Sequence, residues 1–286
     1  MDTILQIDEL HKKMGKFQLS DLSFRLDAGY IMGFIGPNGS GKTSTIKLIM
    51  NLIKKDKGSI MVFGQDMENN EKQIKDRIGF VYDQCNYYDT LKIRDNAKLV
   101  APFYSRWDWS VFEDYLKRFE LDPNQKVMAL SKGMKVKFQL AIALSHDAEL
   151  LIMDEPTSGL DPIFRSELLG ILKEYIEGGR RSVLFSTHIT ADLEKSADFI
   201  TFIHNGKMVF SMEKDEVLSS YAIVKGGLDV LDEGLKRELI GVRKYRFGFE
   251  GMTRNPSYIL EQYKESILLE KATLEEVMLY VAGGNV

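Results

Sequence analysis

The feature that most constrains this chain is a glycine-rich stretch at residues 36–43. It matches the pattern G-x-x-x-x-G-K-[ST], in which backbone N–H groups surround the phosphates of a nucleotide. An apolar run at residues 30–35 predicts a buried strand before it, and apolar residues from 46 to 53 recur at helical spacing after it. A chance glycine turn would not require this strand–loop–helix order. The stretch therefore predicts an α/β fold with a phosphate-binding loop at its centre.

Each residue type in this stretch has a physical reason to be there. The candidate phosphate-binding residues are Gly36, Pro37, Asn38, Gly39, Ser40, Gly41, Lys42, Thr43 and Ser44. The glycines let the backbone turn sharply, and the helix that begins near Gly41 adds the positive end of its dipole. Lys42 is expected to reach the β- and γ-phosphates, and the Thr43 hydroxyl is expected to bind Mg²⁺.

A second candidate group is the pair Asp154 and Glu155, which follows an apolar strand at residues 150–153. An acidic residue at the carboxyl end of a parallel strand can hold Mg²⁺ opposite Thr43. Glu155 would then be placed to orient or deprotonate an attacking water. The alternative is that the two carboxylates only cap the next segment, but the loop upstream favours the metal site.

Composition excludes several classes of protein. The net charge of −4 argues against a nucleic-acid binder that works through a basic surface. The single cysteine, Cys85, excludes an internal disulfide and favours a reducing cytosol. The first residues lack a signal-peptide pattern, and no apolar run approaches the ~20 residues that span a bilayer. We therefore expect that this chain does not cross a membrane by itself.

The order of patterns along the 286 residues predicts one cassette with an appendage. Alternating residues at 4–10 and 19–26 predict an N-terminal β layer. Residues 87–147 are helical in character and rich in aromatics. One helix face is expected in the core and consists of Phe112, Tyr115, Leu116 and Phe119. Trp107 and Trp109, by contrast, lie in a polar segment and could face a partner.

The last part of the chain carries fewer motifs. Residues 199–203 and 208–211 flank an Asn-Gly turn and predict a hairpin. Thr273 and Glu276 form a capping box that starts a last helix with an apolar face. We expect that face to pack against the cassette or against a second copy. The predicted domains are therefore 1–220, the cassette, and 221–286, a C-terminal accessory region.

Further motifs make the chain resemble a known family. Leu130-Ser131-Lys132-Gly133-Met134 resembles the L-S-G-G-Q signature of ABC ATPases, and it precedes the Asp–Glu pair as it does in that family. Residues 158–161 match the family's D-loop, and residues 186–188 match its switch histidine. The resemblance covers residues 3–220 and includes all of these motifs in the expected order.

The resemblance implies a fold and a mechanism. The fold is an α/β P-loop NTPase (RecA-like) core with an N-terminal antiparallel β layer, a helical signature subdomain at about 87–147 and a small C-terminal α+β extension. Lys42, Glu155 and His188 would be catalytic, with ATP and Mg²⁺ as cofactors. Ser131, with Gly133, Met134 and Asp161, would contact the nucleotide of a second ATP-binding subunit, in a homodimer or a heterodimer.

Three departures from the family pattern concern nucleotide contacts. In the signature, Lys132 replaces a glycine and Met134 replaces a glutamine. The Q-loop glutamine is expected where Asp83 stands, with Gln84 one position later, and either side chain could serve Mg²⁺. Met14 occupies the place of the aromatic residue that stacks on adenine, and Phe17 could compensate for it.

The resemblance implies the ATP-hydrolysing subunit of an ABC transporter whose membrane-spanning helices are on a separate chain. The last helix resembles that of bacterial exporters of antimicrobial or toxin peptides and drugs. The chain would then lie at the cytoplasmic face of the cell membrane as a peripheral subunit, with an integral membrane transporter subunit as partner and no nucleic acid. The transported compound and the direction of transport stay open.

The alternatives explain fewer of the motifs. A soluble ABC ATPase acting on ribosomes or nucleic acid usually has two cassettes or a long coiled-coil insertion, whereas this chain has one signature motif and an acidic net charge. A phosphotransferase leaves the signature and the switch histidine unexplained. A degenerate cassette that serves only as a scaffold is countered by the intact residues Lys42, Glu155 and His188.

Overall fold

The computed structural model describes residues 2–283, and the chain divides into two compact units, Met1–Ser211 and Met212–Val286. This division and the boundary predicted after residue 220 differ by one short helix, Lys214–Ser220. Within the described residues, no helix combines the length and the apolar character needed to span a bilayer.

The first unit is built on a ten-stranded sheet with the order β5-β4-β1-β2-β10-β9-β3-β8-β7-β6. Its strands are β1 (Thr3–Met14), β2 (Phe17–Asp27), β3 (Ile31–Ile35), β4 (Lys57–Val62), β5 (Gln65–Asp66), β6 (Ile78–Val81), β7 (Leu150–Asp154), β8 (Ser182–Thr187), β9 (Phe199–His204) and β10 (Lys207–Glu213). β1, β2, β4 and β5 pair antiparallel, which confirms the predicted N-terminal β layer.

The neighbouring strands β9, β3, β8, β7 and β6 form a parallel section of this sheet. β3 pairs with β8 and β9, and β7 pairs with β6 and β8, all in parallel. Every residue of β3, β7 and β8 is buried, because helices cover both faces of a parallel sheet. β9 and β10 are neighbours that flank the turn Asn205-Gly206, so the predicted hairpin is confirmed.

The helices of the first unit are α1 (Lys42–Ile49), α2 (Glu71–Lys75), α3 (Ile93–Val100), α4 (Trp109–Arg118), α5 (Lys132–Leu144), α6 (Pro162–Ile176) and α7 (Thr190–Ser196), with single 3-10 turns at Ala101–Phe103 and Val127–Ala129. Three of these helices, α4, α5 and α6, begin at a residue whose side chain caps the helix. Asp161 Oδ1 accepts hydrogen bonds of 3.0 Å from the N–H groups of Ile163 and Phe164, which starts α6. The helical segment at 87–147 contains α3, α4 and α5, as predicted.

The aromatics of this segment are mostly core residues. Phe112 and Leu116 of α4 are buried, as is Phe119 directly after the helix, which confirms the prediction for these three residues. The fourth, Tyr115, is only half-buried. Trp107 is half-buried because its ring stacks among other aromatic rings, including that of Trp109 at 5.3 Å between centroids. Only Trp109 of this pair is exposed. The predicted partner surface around the two tryptophans is thus smaller than the sequence suggested.

The second unit has a fold of its own. It consists of α8 (Lys214–Ser220), β11 (Ala222–Gly226), α9 (Glu233–Glu238), β12 (Leu239–Tyr245), β13 (Gly248–Thr253), α10 (Pro256–Tyr263), a 3-10 turn at Lys264–Ser266, β14 (Ile267–Lys271) and α11 (Leu274–Gly283). The sheet order is β12-β13-β11-β14, and the pairs are antiparallel. From β11 to β14 the order of elements is βαββαβ, which is the ferredoxin-like topology.

Two layers of packing stabilise this second unit. Val224, Leu235, Phe249 and Ile259 form a core cluster from residues of β11, α9, β13 and α10. The capping box at Thr273 and Glu276 starts α11 as predicted. α11 packs against β12, and the Tyr280 hydroxyl donates a 2.7 Å hydrogen bond to Glu250. These contacts lie within the second unit, and the expectation that the apolar face of α11 packs against the cassette or against a second copy stays a prediction.

Candidate active site

The candidate site lies where three neighbouring parallel strands end. In the sheet register, Ile35 at the end of β3 pairs with Thr187 of β8, and Asp154 at the end of β7 pairs with Ser186. The phosphate loop, the Asp–Glu pair and His188 therefore leave the sheet at the same edge. Ligands of α/β proteins bind outside the carboxyl ends of such strands.

A cavity of about 660 Å³ opens at this edge. It is lined by Met14, Phe17, Asn38, Gly39, Gly41, Lys42, Thr43, Ser44, Asp83, Glu155, Ser158 and His188. Its volume lies in the ordinary range for small-molecule sites. The structure thus brings together residues that are far apart in the sequence and that were singled out separately.

The loop itself admits only glycine at two of its positions. Gly41 has φ +115, and a Cβ there would lie 2.4 Å from Leu19 Cδ2. A Cβ on Gly36 would lie 2.2 Å from the Ile203 carbonyl oxygen. The Ser40 hydroxyl is buried without a hydrogen-bond partner, and such a group is costly to leave unsatisfied. The backbone of the loop can therefore come close to a bound phosphate, and the buried Ser40 hydroxyl is free to donate a hydrogen bond to it.

Lys42 places a buried positive charge in the cavity wall. Its side chain is only 6% exposed, and Nζ donates to the carbonyl oxygens of Gly36 at 2.7 Å and Pro37 at 3.3 Å. Nζ also lies 3.3 Å from Glu155 Oε1, which has no hydrogen-bond partner. A buried ammonium beside one carboxylate is well placed to accept further negative charge from phosphate oxygens.

Asp154 and Thr43 form the candidate metal position. Asp154 is buried, and its Oδ1 accepts a 2.6 Å hydrogen bond from the Ser186 hydroxyl. Burial raises the pKa of Asp154, while hydrogen bonds from Ser186 and Thr43 oppose that rise. A divalent cation here would stabilise the ionised carboxylate. Within residues 2–283 no three His, Cys, Asp or Glu side chains cluster around one point, so hydroxyl and phosphate oxygens would have to complete the coordination.

Glu155 is held in an unusual backbone conformation. Its φ is +50, which costs about 1–3 kcal/mol for a residue with a side chain. Two hydrogen bonds of 3.1 Å stabilise it, from Glu155 N to the carbonyl and to the hydroxyl of Ser186. His188 Nδ1 lies 2.7 Å from Glu155 Oε2, and His188 N donates to the same oxygen at 3.3 Å. The carboxylate is therefore fixed between Lys42 and His188.

Two positioning residues escaped the sequence analysis. Ser186 contacts both acids, although the sequence marked it only as part of a motif. Gln139 of α5 is buried and makes a reciprocal pair of bonds with the backbone of Tyr82, at 3.2 and 3.1 Å. That pair fixes the chain just before Asp83 and Gln84, which are both exposed, and of these two only Asp83 lines the cavity. The signal for Gln139 in the sequence was a polar residue inside an apolar helix face.

The signature residues do not line the cavity of their own chain in the described part of the structure. Ser131 caps α5, and its hydroxyl accepts a 3.2 Å hydrogen bond from Met134 N. Gly133 lies in the first turn of α5. The Lys132 side chain covers Gly159, where a Cβ would lie 3.3 Å from Lys132 Nζ. Asp161 uses its carboxylate to cap α6.

Comparisons with known proteins show the family of this chain. The ABC transporter family matches residues 19–158. The chain is similar to the bacitracin transport ATP-binding protein BcrA of Bacillus licheniformis, at 33% identity over 76% of this chain and 72% of that protein. It is also similar to the lantibiotic transport ATP-binding protein SrtF of Streptococcus pyogenes, at 33% identity over 74% of this chain and 92% of that protein.

A solved structure is similar as well. It is described as an ATP binding subunit of an ABC transporter, with a TM-score of 0.70 and 28% identity, and the match covers 76% of this chain and 92% of that one.

Proposed function

Because this chain belongs to the ABC transporter family as an ATP-binding subunit, we propose that it hydrolyses ATP to drive an exporter whose membrane-spanning helices are on a separate chain. The observation that carries the proposal is the contact series Lys42–Glu155–His188 at the cavity. In this series Lys42 can bind phosphate oxygens, Glu155 can bind the attacking water, and His188 fixes the Glu155 carboxylate.

The residues divide the chemistry between them. Lys42 and the loop N–H groups bind the β- and γ-phosphates of ATP, which then replace Glu155 as the main anionic neighbour of Lys42. Glu155 orients the attacking water and accepts its proton, and His188 holds the Glu155 carboxylate at 2.7 Å. Mg²⁺, held by Thr43 and Asp154 with Asp83 nearby, would supply charge neutralisation at the phosphates.

The proposal includes a second ATP-binding subunit. Ser131, Gly133 and Met134 lie outside the cavity of their own chain, so a role in nucleotide binding requires a nucleotide held by another subunit. The exposed Ser131 hydroxyl at the start of α5 offers both a donor and the helix N-terminus to a γ-phosphate. Loss of that phosphate would remove the shared contact and open the dimer.

The proposed cargo is a peptide or a drug, supported by the bacitracin and lantibiotic relatives. The partner is an integral membrane protein that docks on the helical segment at 87–147 and near Asp83, at the cytoplasmic face of the membrane. The test is fractionation of cells that express this chain with and without a candidate membrane partner. We expect stable recovery with membranes only when the partner is present, and an ATPase rate that changes with the partner's substrate.

One outcome would favour the other function. A protein that stayed in the soluble fraction with the partner present, and that sedimented with ribosomes instead, would contradict the transporter proposal and support a soluble ABC ATPase.

A further inference from the structure

The tip of the hairpin between β12 and β13 combines positive charge with exposed aromatic rings. Residues 243–247, here called the hairpin tip, read Arg-Lys-Tyr-Arg-Phe and contain no acidic residue. The chain as a whole has a net charge of −4, so the positive charge of the hairpin tip is opposite in sign to that of the whole chain.

The aromatic side chains of the hairpin tip face solvent. Phe247 is 85% exposed and Tyr245 is 53% exposed. The Arg246 guanidinium lies 5.1 Å from the centroid of the Phe247 ring, so a cation accompanies the apolar group. The next aromatic along the strand, Phe249, is buried in the core of the unit. The exposed ring is therefore an addition to a core that is already filled.

The requirements of the turn do not explain these residues. A two-residue hairpin turn favours Asn-Gly, because both central residues then adopt positive φ at little cost. The chain uses that solution at Asn205 and Gly206, with φ of +48 and +74. At the β12–β13 turn, between the paired residues Tyr245 and Gly248, it places Arg246 and Phe247 instead. Two large side chains at the turn point to a function outside folding.

We propose that the hairpin tip binds the surface of an anionic phospholipid bilayer. Cationic side chains would lie against lipid phosphates, and the Phe247 ring would enter the boundary between headgroups and acyl chains. A bilayer supplies a negative surface and an apolar layer together, which matches both halves of the cluster. A nucleic acid supplies the negative charge, but it has no apolar layer for the Phe247 ring to enter.

The size of the effect follows from the composition of the tip. Each Lys or Arg near an anionic surface strengthens binding by about fivefold. The hairpin tip therefore supplies weak, reversible binding that adds to a membrane partner without replacing it. This inference goes beyond the proposed function, since lipid binding can be measured without a partner and without ATP.

The test is flotation of the full-length protein with vesicles in the absence of any membrane protein. Vesicles of phosphatidylcholine alone are compared with vesicles of phosphatidylcholine and phosphatidylglycerol in equal parts. We expect binding only to the anionic vesicles, and we expect high salt to weaken it. Phe247→Ser should lower the bound fraction several-fold, and Arg246→Glu should lower it by about tenfold or more, because it removes one cation and adds an anion.

Matched control variants come from the same unit. Tyr258→Ser removes a half-exposed aromatic of α10, and Lys236→Glu reverses a charge on α9, beyond the other end of β12. Both should bind vesicles like the unaltered chain, and all four variants should keep the basal ATPase rate and the thermal unfolding temperature.

Three results would overturn the inference. They are equal binding to neutral and anionic vesicles, vesicle binding that Phe247→Ser and Arg246→Glu leave unchanged, and absence of vesicle binding with salt-sensitive binding of a single-stranded oligonucleotide. None of these bears on ATP hydrolysis, so the proposed function can fail or hold independently.

Discussion

The strand-end cavity of the first unit and the ferredoxin-like second unit both lie in regular arrangements of strands and helices, yet only the cavity is marked by motifs in the sequence. The cavity is surrounded by short motifs in which the identity of each residue matters. The second unit has a complete sheet and a filled core, but we find no sequence motif in it that indicates a chemical function. A regular fold therefore does not require a recognisable motif, whereas a phosphate-handling site does.

The physical reason lies in what each region buries. The cavity wall contains buried or nearly buried charges, among them Lys42 and Asp154, and each is stabilised by specific partners. Few other residue types could make those bonds. The core of the second unit contains apolar side chains such as Val224 and Ile259, for which other apolar residues of similar size would serve.

The largest effect expected from this contrast is at Glu155. Glu155→Gln keeps the shape and the His188 contact but cannot accept a proton, so ATP hydrolysis should slow by at least about 10²-fold while ATP still binds. An ATP-bound dimer should accumulate. The measurement is single-turnover hydrolysis together with nucleotide binding. The control is Glu177→Gln, an exposed glutamate after α6, which should hydrolyse ATP normally. Near-normal turnover in Glu155→Gln would remove this residue from the role of base.

More of the candidate site than of the fold could be predicted from the sequence. The strand–loop–helix context placed Lys42 and Thr43 at the start of the helix that follows the phosphate loop, and the Asp–Glu pair was placed at a strand end by the same reasoning. It missed Ser186 and Gln139 as positioning residues, because their partners are backbone or side-chain atoms that lie far away in the sequence. Hydrophobic periodicity reports which face of an element is buried, but not which distant atom that face meets.

The second unit shows the same limit more strongly. Residues 221–266 have no clear period, because their strands are short and each exposes one face only in part. The ferredoxin-like topology depends on pairs such as Val224 with Gly251, which no local pattern encodes. The local capping box at Thr273 was predicted correctly, whereas the packing of α11 against β12 has no signal in the local sequence.

A smaller effect on ATP hydrolysis is expected from substitution of Gln139. This residue belongs to no motif, so the substitution tests whether the site depends on more than its motifs. Gln139→Met removes both bonds to Tyr82 and should loosen the segment that carries Asp83. We expect the Mg²⁺ concentration for half-maximal ATPase activity to rise by about tenfold, as for other residues that support metal ligands. The control is Gln125→Met, whose amide makes one exposed bond of 3.3 Å to a carbonyl. An unchanged Mg²⁺ requirement would show that the site depends on its motifs alone.

Only a modest difference in nucleotide affinity is expected between adenine and guanine as the base. Met14 and Phe17 line the cavity, and neither offers a hydrogen bond that distinguishes adenine from guanine. The affinities for ATP and GTP should therefore agree within about tenfold, or about 1.4 kcal/mol. Titration of both nucleotides measures this. Phe17→Ala should weaken both alike, and a strong preference for ATP that this variant abolishes would identify Phe17 as the residue that recognises the base.

The smallest effect on ATP is expected where the second unit is removed. A chain that ends at Ser220 keeps the cavity residues from Met14 to His188, and the second unit has its own core cluster. Nucleotide affinity should therefore stay unchanged, measured by titration after circular dichroism has shown that the shortened chain is folded. Vesicle binding, by contrast, should disappear with the hairpin tip. A folded, shortened chain that no longer bound ATP would contradict this prediction.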